Sequence, residues 1–183
     1  ATPYSIATAT PPDAAPFLPP DLGPREIVLN RWLADDLQAN AGDDVRVTYF
    51  QVGPADTLVE QQTSFRVRAV IPLAGLAADR AWMPDFPGIS DSKHQSDWDP
   101  GLPLNLKRIR PQDEKYWDDF RGAPKAFVSL AAGREMWTTR WGTLTALRIP
   151  HPPAQAADLE RTLLGALRPE MNQLLLRNVR AGA

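Results

Sequence analysis

The chain has 183 residues, 43 % of them hydrophobic, with 20 basic and 22 acidic side chains and a net charge of −2. That is enough apolar material for one ordinary core, and the balanced charge leaves no footprint for nucleic acid. Cysteine is absent, which excludes a thiol nucleophile, a zinc–cysteine site and disulfide bridges. No run approaches the roughly 20 apolar residues that cross a bilayer; the longest, TLLGALRPEMNQLLL, is broken by Arg168, Pro169, Glu170 and Asn172.

In chain order, residues 1–24 are rich in Pro, Ala and Thr. Repeated prolines remove backbone donors and fix an extended φ, so this segment reads as an arm laid over a surface, with YSIATA as an edge strand. Residues 25–183 then read as one α+β domain. REIVLN is a short strand ending on Asn30, whose side chain can accept an N–H of the first helical turn. Leu33 and Leu37 share a helix face, and the helix should stop near Asn40 to Gly42, residue types that tolerate left-handed φ.

DVRVTYF places Val45, Val47 and Tyr49 on one face, with Arg46 and Thr48 on the other. TSFRVRAVIPL repeats the alternation, with Phe65, Val67, Ala69 and Ile71 inward. The two strands are expected to pair antiparallel across VGPADTLVEQ. Leu33, Leu37, Val45, Val47, Phe65 and Val67 are the predicted core.

From Ala74 to Gly122 no period is sustained, and the segment reads as an irregular excursion carrying Trp82, Trp98 and Trp117. Only PQDEKYWDDFRG within it looks helical, with Pro111 in its first turn and Gly122 as its stop. PKAFVSL is then an apolar strand, AAGREMWTTRW a short helix and GTLTALRIP another strand. PPAQAADLERTLLGALRPEM is the most regular helix, with Ala156, Leu159, Leu163, Ala166 and Leu167 as its buried stripe. QLLLRNV closes as a strand. The fold class expected is therefore α+β, a small mixed or antiparallel sheet with three to four helices on one side and a long irregular Trp/Pro-rich insertion.

Few residue groups point to chemistry. DRAWMPDFPGISDSKHQSDWDPG holds Asp79, Asp85, Asp91, His94, Asp97 and Asp99, and alternate acids such as Asp97 and Asp99 are what a calcium loop supplies. Pro100 and Gly101 break that loop and no Glu follows at the required spacing, so these acids read as turn caps and no metal site is expected. His94 and His151 each stand alone in proline-flanked loops, without a hydrolase motif. Asp113, Glu114, Asp118 and Asp119 read as a solvated helix face paired with Lys115 and Arg121 rather than as glycosidase carboxylates. No catalytic residue, cofactor or metal ligand is assigned. Trp82, Trp98 and Trp117 are the candidate partner-binding residues, because aromatic anchors on loops carry recognition; at least one should be partly exposed or line a groove.

EIVLNRWLADDLQANAGDDVRVTYF followed by SFRVRAVIPL resembles the extracytoplasmic, MacB-like periplasmic core domain of FtsX/MacB-family ABC transporter permeases. That pattern is a strand, a helix with A-x-x-L (Ala34 to Leu37), a G-D turn (Gly42, Asp43), a strand and a returning F-x-V-x-G-V strand. Ala69 stands where the family has its Gly. DRAWMPDFPGISD, SDWDPGLPLNLKRIRPQDEKYW and GAPKAFVSL are similar to a subgroup with an enlarged loop.

The resemblance implies a non-catalytic domain on the periplasmic or extracellular face of a bacterial cell membrane, a soluble piece of a membrane-anchored permease. LLLRNVRAGA would approach a second membrane helix, and Ala1 in place of Met reads as a trimmed end. The implied partners are a cytoplasmic ABC ATPase subunit, reached through the membrane part, and a periplasmic protein or a lipidic or peptide substrate. The competing reading is a stand-alone secreted hydrolase using the Asp/His-rich loop.

Overall fold

A computed structural model describes residues 1–53, 57–140, 142–149 and 152–166. Its sheet has five strands, β1 (Ala7–Thr10), β2 (Glu26–Asn30), β3 (Asp44–Val52), β4 (Leu58–Ile71) and β5 (Ala126–Ser129), in the order β1-β5-β2-β4-β3. Pairing is mixed. β1 runs parallel to β5 and β2 parallel to β4, while β2/β5 and β3/β4 are antiparallel. Four α-helices are described, α1 (Arg31–Leu37), α2 (Pro111–Phe120), α3 (Leu130–Trp137) and α4 (Ala156–Ala166). The class is α+β, as the patterning predicts.

The central strands β2 and β5 are buried along almost their whole length. Their unbroken apolar character follows from cover on both sheet faces. On one face Leu33 and Ala34 of α1 and Ala132 and Met136 of α3 pack with Ile27, Leu29, Phe65, Val67 and Val128. Leu37, Val45 and Val47 lie half-buried against this cluster, so the six predicted core residues do converge. The opposite face is covered by the arm, as the sequence reading expects. There the arm lays Ala15, Leu18 and Leu22 on Val28 and Phe127, and Trp82 closes the patch.

Two inward assignments, Ala69 and Ile71, are moved to the other face by a bulge. Ile27 pairs with Val67 but Val28 with Ala69, so Arg68 is the extra residue in β4. Because strand side chains alternate, one inserted residue reverses the parity beyond it. Phe65 and Val67 face the helices, whereas Ala69 and Ile71 pack against the arm side and Val70 takes the helix side. The extruded Arg68 bonds the Asp21 carboxylate of the arm at 3.0 and 3.1 Å.

Helix ends follow local chemistry. Asn30 Oδ1 accepts the Leu33 N–H at 2.8 Å, as its type predicts. The left-handed stop of α1 falls at Gln38 (φ 54°), earlier than the expected Asn40 to Gly42. Ser129 caps α3 by accepting from Ala132. A Cβ on Gly133 would lie 2.1 Å from the Ala9 Cβ, so a bare α-carbon lets α3 rest on β1.

The chain divides into two compact units, Ala1–Thr145 and Ala146–Ala183, and the arm belongs to the first. In the second, none of α4's residues is buried. Ala156, Leu159 and Leu163 are half-buried and Ala166 is exposed, so the stripe has the predicted phase but not the predicted burial; Leu167 and QLLLRNV lie outside the described residues. GTLTALRIP forms no strand over 142–149, apart from an isolated bridge between Thr139 and Gly142. Among the described residues no strand pairs with it, and an unpaired strand leaves its backbone groups to solvent. No described helix is long and apolar enough to cross a membrane.

Candidate functional site

The three tryptophans singled out in the excursion are all buried, at 7 % (Trp82), 5 % (Trp98) and 3 % (Trp117) exposure. None is partly exposed, although Trp98 and Trp117 both line a small cavity. Trp82 docks edge-on against Phe127 and Phe17 and donates Nε1 to the Leu76 carbonyl at 2.7 Å. Trp98 and Trp117 meet edge to face at 5.1 Å, and with Ile89 they form a separate small core under the excursion. A proline-broken segment cannot saturate itself through strands or helices, so it uses large rings as internal pegs.

The loop acids cap turns. Asp79 accepts from Ala81 N and Asp91 from Gly88 N. Gly88 sits at φ 80° with the Asp99 carbonyl oxygen 2.0 Å from where a Cβ would stand, so the chain crosses itself there by a glycine. Among the described residues no group of three His, Cys, Asp or Glu side chains is placed to hold a metal. His94 is half-buried at a turn, and His151 lies outside the described residues.

The densest polar constellation lies elsewhere, where α1, α2, β2 and β5 meet. Arg110, at the N-cap of α2, clamps two carboxylates. Its Nη1 and Nη2 reach both Asp36 oxygens at 3.0 and 2.8 Å, and its Nε and Nη2 reach both Asp113 oxygens at 2.7 and 2.9 Å. Asp113 also accepts the Arg110 backbone N–H at 3.0 Å, an acid in the first turn closing the helix end. Thr2 and Gln112 donate to Asp36 as well.

Behind this clamp is Lys125, 3 % exposed. Its Nζ lies 3.5 Å from Asp113 Oδ1, 4.0 Å above the Trp32 ring and 4.6 Å from the Tyr116 ring. The Asn30 side chain donates to Tyr116 Oη (3.0 Å) and the Pro124 carbonyl (3.1 Å), and Tyr116 donates to the Ala123 carbonyl at 3.0 Å. These bonds fix the turn that delivers Lys125 into the strand.

Electrostatics follow from burial and pairing. Burial pushes the Lys125 ammonium down to about 8, against the attraction of Asp113. Burial likewise pushes the Tyr116 phenol up. Hydrogen bonds to Asp113 and Asp36 hold the Arg110 guanidinium above its ordinary range. Burial opposes ionisation of Asp36, but bonds from Arg110 and Thr2 outweigh it and hold the carboxyl low.

Asp113 was expected on a solvated helix face and is instead fully buried, because its fork-to-fork partner is Arg110 rather than solvent. Of the expected partners, Lys115 Nζ reaches Asp119 at 2.9 Å, whereas Arg121 Nη1 donates to the Lys93 carbonyl, and Glu114 accepts the N–H groups of Gln95 and Ser96. Lys125 escaped the sequence reading altogether. Its one visible signal is a lone charge inside the apolar run GAPKAFVSL. A lysine amine near neutrality is a nucleophile or base where substrate can reach it. Here the amine is walled by two rings and a carboxylate, so the arrangement acts as an ionic lock between helices and sheet. No protein-family model, curated protein or solved structure matches this chain.

Proposed function

We propose that the chain is a non-catalytic extracytoplasmic domain of an FtsX/MacB-like ABC transporter permease, working outside the bacterial membrane and coupled through a membrane part to a cytoplasmic ATPase. It transmits conformational change or binds a periplasmic protein, lipid or peptide. One observation carries this reading. The strand, helix, G-D turn, strand and returning strand of the resemblance are realised as β2, α1, Gly42–Asp43, β3 and β4 on one sheet. The Gly42 N–H donates to the Val67 carbonyl and Val67 N–H to the Asp43 carbonyl, so the G-D turn is itself pinned to the returning strand. The mechanical connections are consistent with force transmission. β1 is joined to the sheet through β5, and the residues before it are tied to α1 and the excursion by Thr2–Asp36 and Gln95–Tyr4 bonds. A pull on the N-terminal side would load α1, β5 and the excursion together.

The test is expression of the complete gene with an affinity tag, followed by membrane fractionation and pull-down. The expected product is an integral membrane protein that co-purifies with an ATP-hydrolysing subunit. A full-length product found outside the membrane with no ATPase partner overturns the proposal.

A further inference from the structure

Among the described residues two buried side-chain donors lack a hydrogen-bond acceptor, the indole Nε1 of Trp98 and the Nζ of Lys125. An unmade bond at a buried donor forfeits the desolvation of that group, and more for a charge. Lys125 has a carboxylate and two aromatic faces around it, but 3.5 Å to Asp113 is too long for a hydrogen bond. Both residues line one small cavity of about 10 Å³, together with Tyr4, Gln95, Trp117 and Arg121. That is room for a single water-sized body.

Both unpartnered groups are donors. An indole N–H and an ammonium donate and never accept. Among the other lining groups, Gln95 Nε2 donates to the Tyr4 carbonyl, Trp117 Nε1 to the Ser92 carbonyl and Arg121 Nη1 to the Lys93 carbonyl. No acidic residue lines the cavity, while Lys125 and Arg121 bring positive charge to it. A cation is therefore disfavoured, and a carboxylate or phosphate is too large.

We propose that this cavity binds one small hydrogen-bond acceptor, a halide ion or a water molecule, which accepts hydrogen bonds from Trp98 and Lys125. The occupant ties the excursion to β5 beneath the N-terminal residues, three segments distant in sequence. The site stands independently of the permease reading.

The test uses the full 183-residue chain. Thermal unfolding is followed in sodium chloride or bromide against sodium gluconate at equal ionic strength, and a high-resolution crystal structure is obtained in bromide. If the occupant is a halide, Tm rises saturably by about 2–4 °C at a few multiples of Kd. An anomalous peak then lies within hydrogen-bond distance of both donors, and the rise is lost in Trp98→Phe, which keeps an aromatic ring and removes the N–H. If it is water, halides have no specific effect and a single ordered water bonds both donors. An empty cavity in the crystal, or a Trp98 N–H donating to a protein carbonyl, overturns the proposal. The crystallographic result stands even where Trp98→Phe fails to fold.

Discussion

Replacing Lys125 by Met gives the sharpest test of the buried ionic lock. Methionine keeps most of the aliphatic stem and removes the titrating group. In the native chain burial lowers the ammonium from its ordinary 10.5 to about 8. The unfolded chain thus binds more protons than the folded one between those values, so stability must rise with pH across that window. The penalty is fully present below about 8 and relieved by 10.5. From pH 7.5 to pH 9.5 the expected gain is about 2 kcal/mol. The neighbours do not confuse the measurement. Arg110 is held above its ordinary range and stays charged, Tyr116 is pushed up and stays neutral, and the Asp36 carboxyl is held low. Urea unfolding followed by tryptophan fluorescence at several pH values, for native chain and Lys125→Met, isolates the term as the change in their stability difference. A difference that stays flat across the window refutes a buried, depressed Lys125.

Other perturbations test separate joints. Asp113→Asn removes a fully buried carboxylate between Arg110 and Lys125, and should destabilise by about 3–5 kcal/mol in urea unfolding. Asp36 has its carboxyl held low, so its stabilisation is present above the unfolded value and lost as pH falls through the folded one. Asp36→Asn should therefore flatten the acid limb of a stability–pH curve. Gly88→Ala drives a Cβ into the Asp99 carbonyl at positive φ and should lower stability by about 1–3 kcal/mol or more, read as a fall in Tm. Trp117→Ala should cost about 3–5 kcal/mol by denaturant melt, as for a core aromatic; a nearly unchanged melt would return that ring to the surface.

Much of the sheet was readable from local pattern. Asn30 announced α1, alternation announced β3 and β4, and the apolar run after Pro124 announced β5. What escaped depends on contacts remote in sequence. Asp113 looks like any first-turn acid until Arg110 folds back over it and Lys125 arrives behind it. The bulge at Arg68 has no compositional mark, since Phe65, Val67, Ala69 and Ile71 alternate without a break. Trp82 and Trp98 occupy loop positions that suit recognition and Trp117 lies on α2, yet a largely irregular excursion needs all three for its own packing. GTLTALRIP alternates like a strand, but no described strand pairs with it beyond the Thr139–Gly142 bridge.

The parallel pairing of β1 with β5 also sets an order of assembly. Its register places Ala7 beside Ala126 and Thr10 beside Ser129, so β1 has no partner until most of the unit has been synthesised. The β3–β4 hairpin, by contrast, closes across a short connection and can form alone. Pairing β1 requires closing a long loop, whose entropy must be met before any contact rewards it. The N-terminal strand is therefore expected to dock late, after β2, β4 and β5 have assembled, and the Lys125 N–H bond to the Ile6 carbonyl closes only at that step. Until then the first residues remain an unpaired, apolar-edged segment, and the exposed flank of β5 is the surface that nascent chains must keep from pairing with one another.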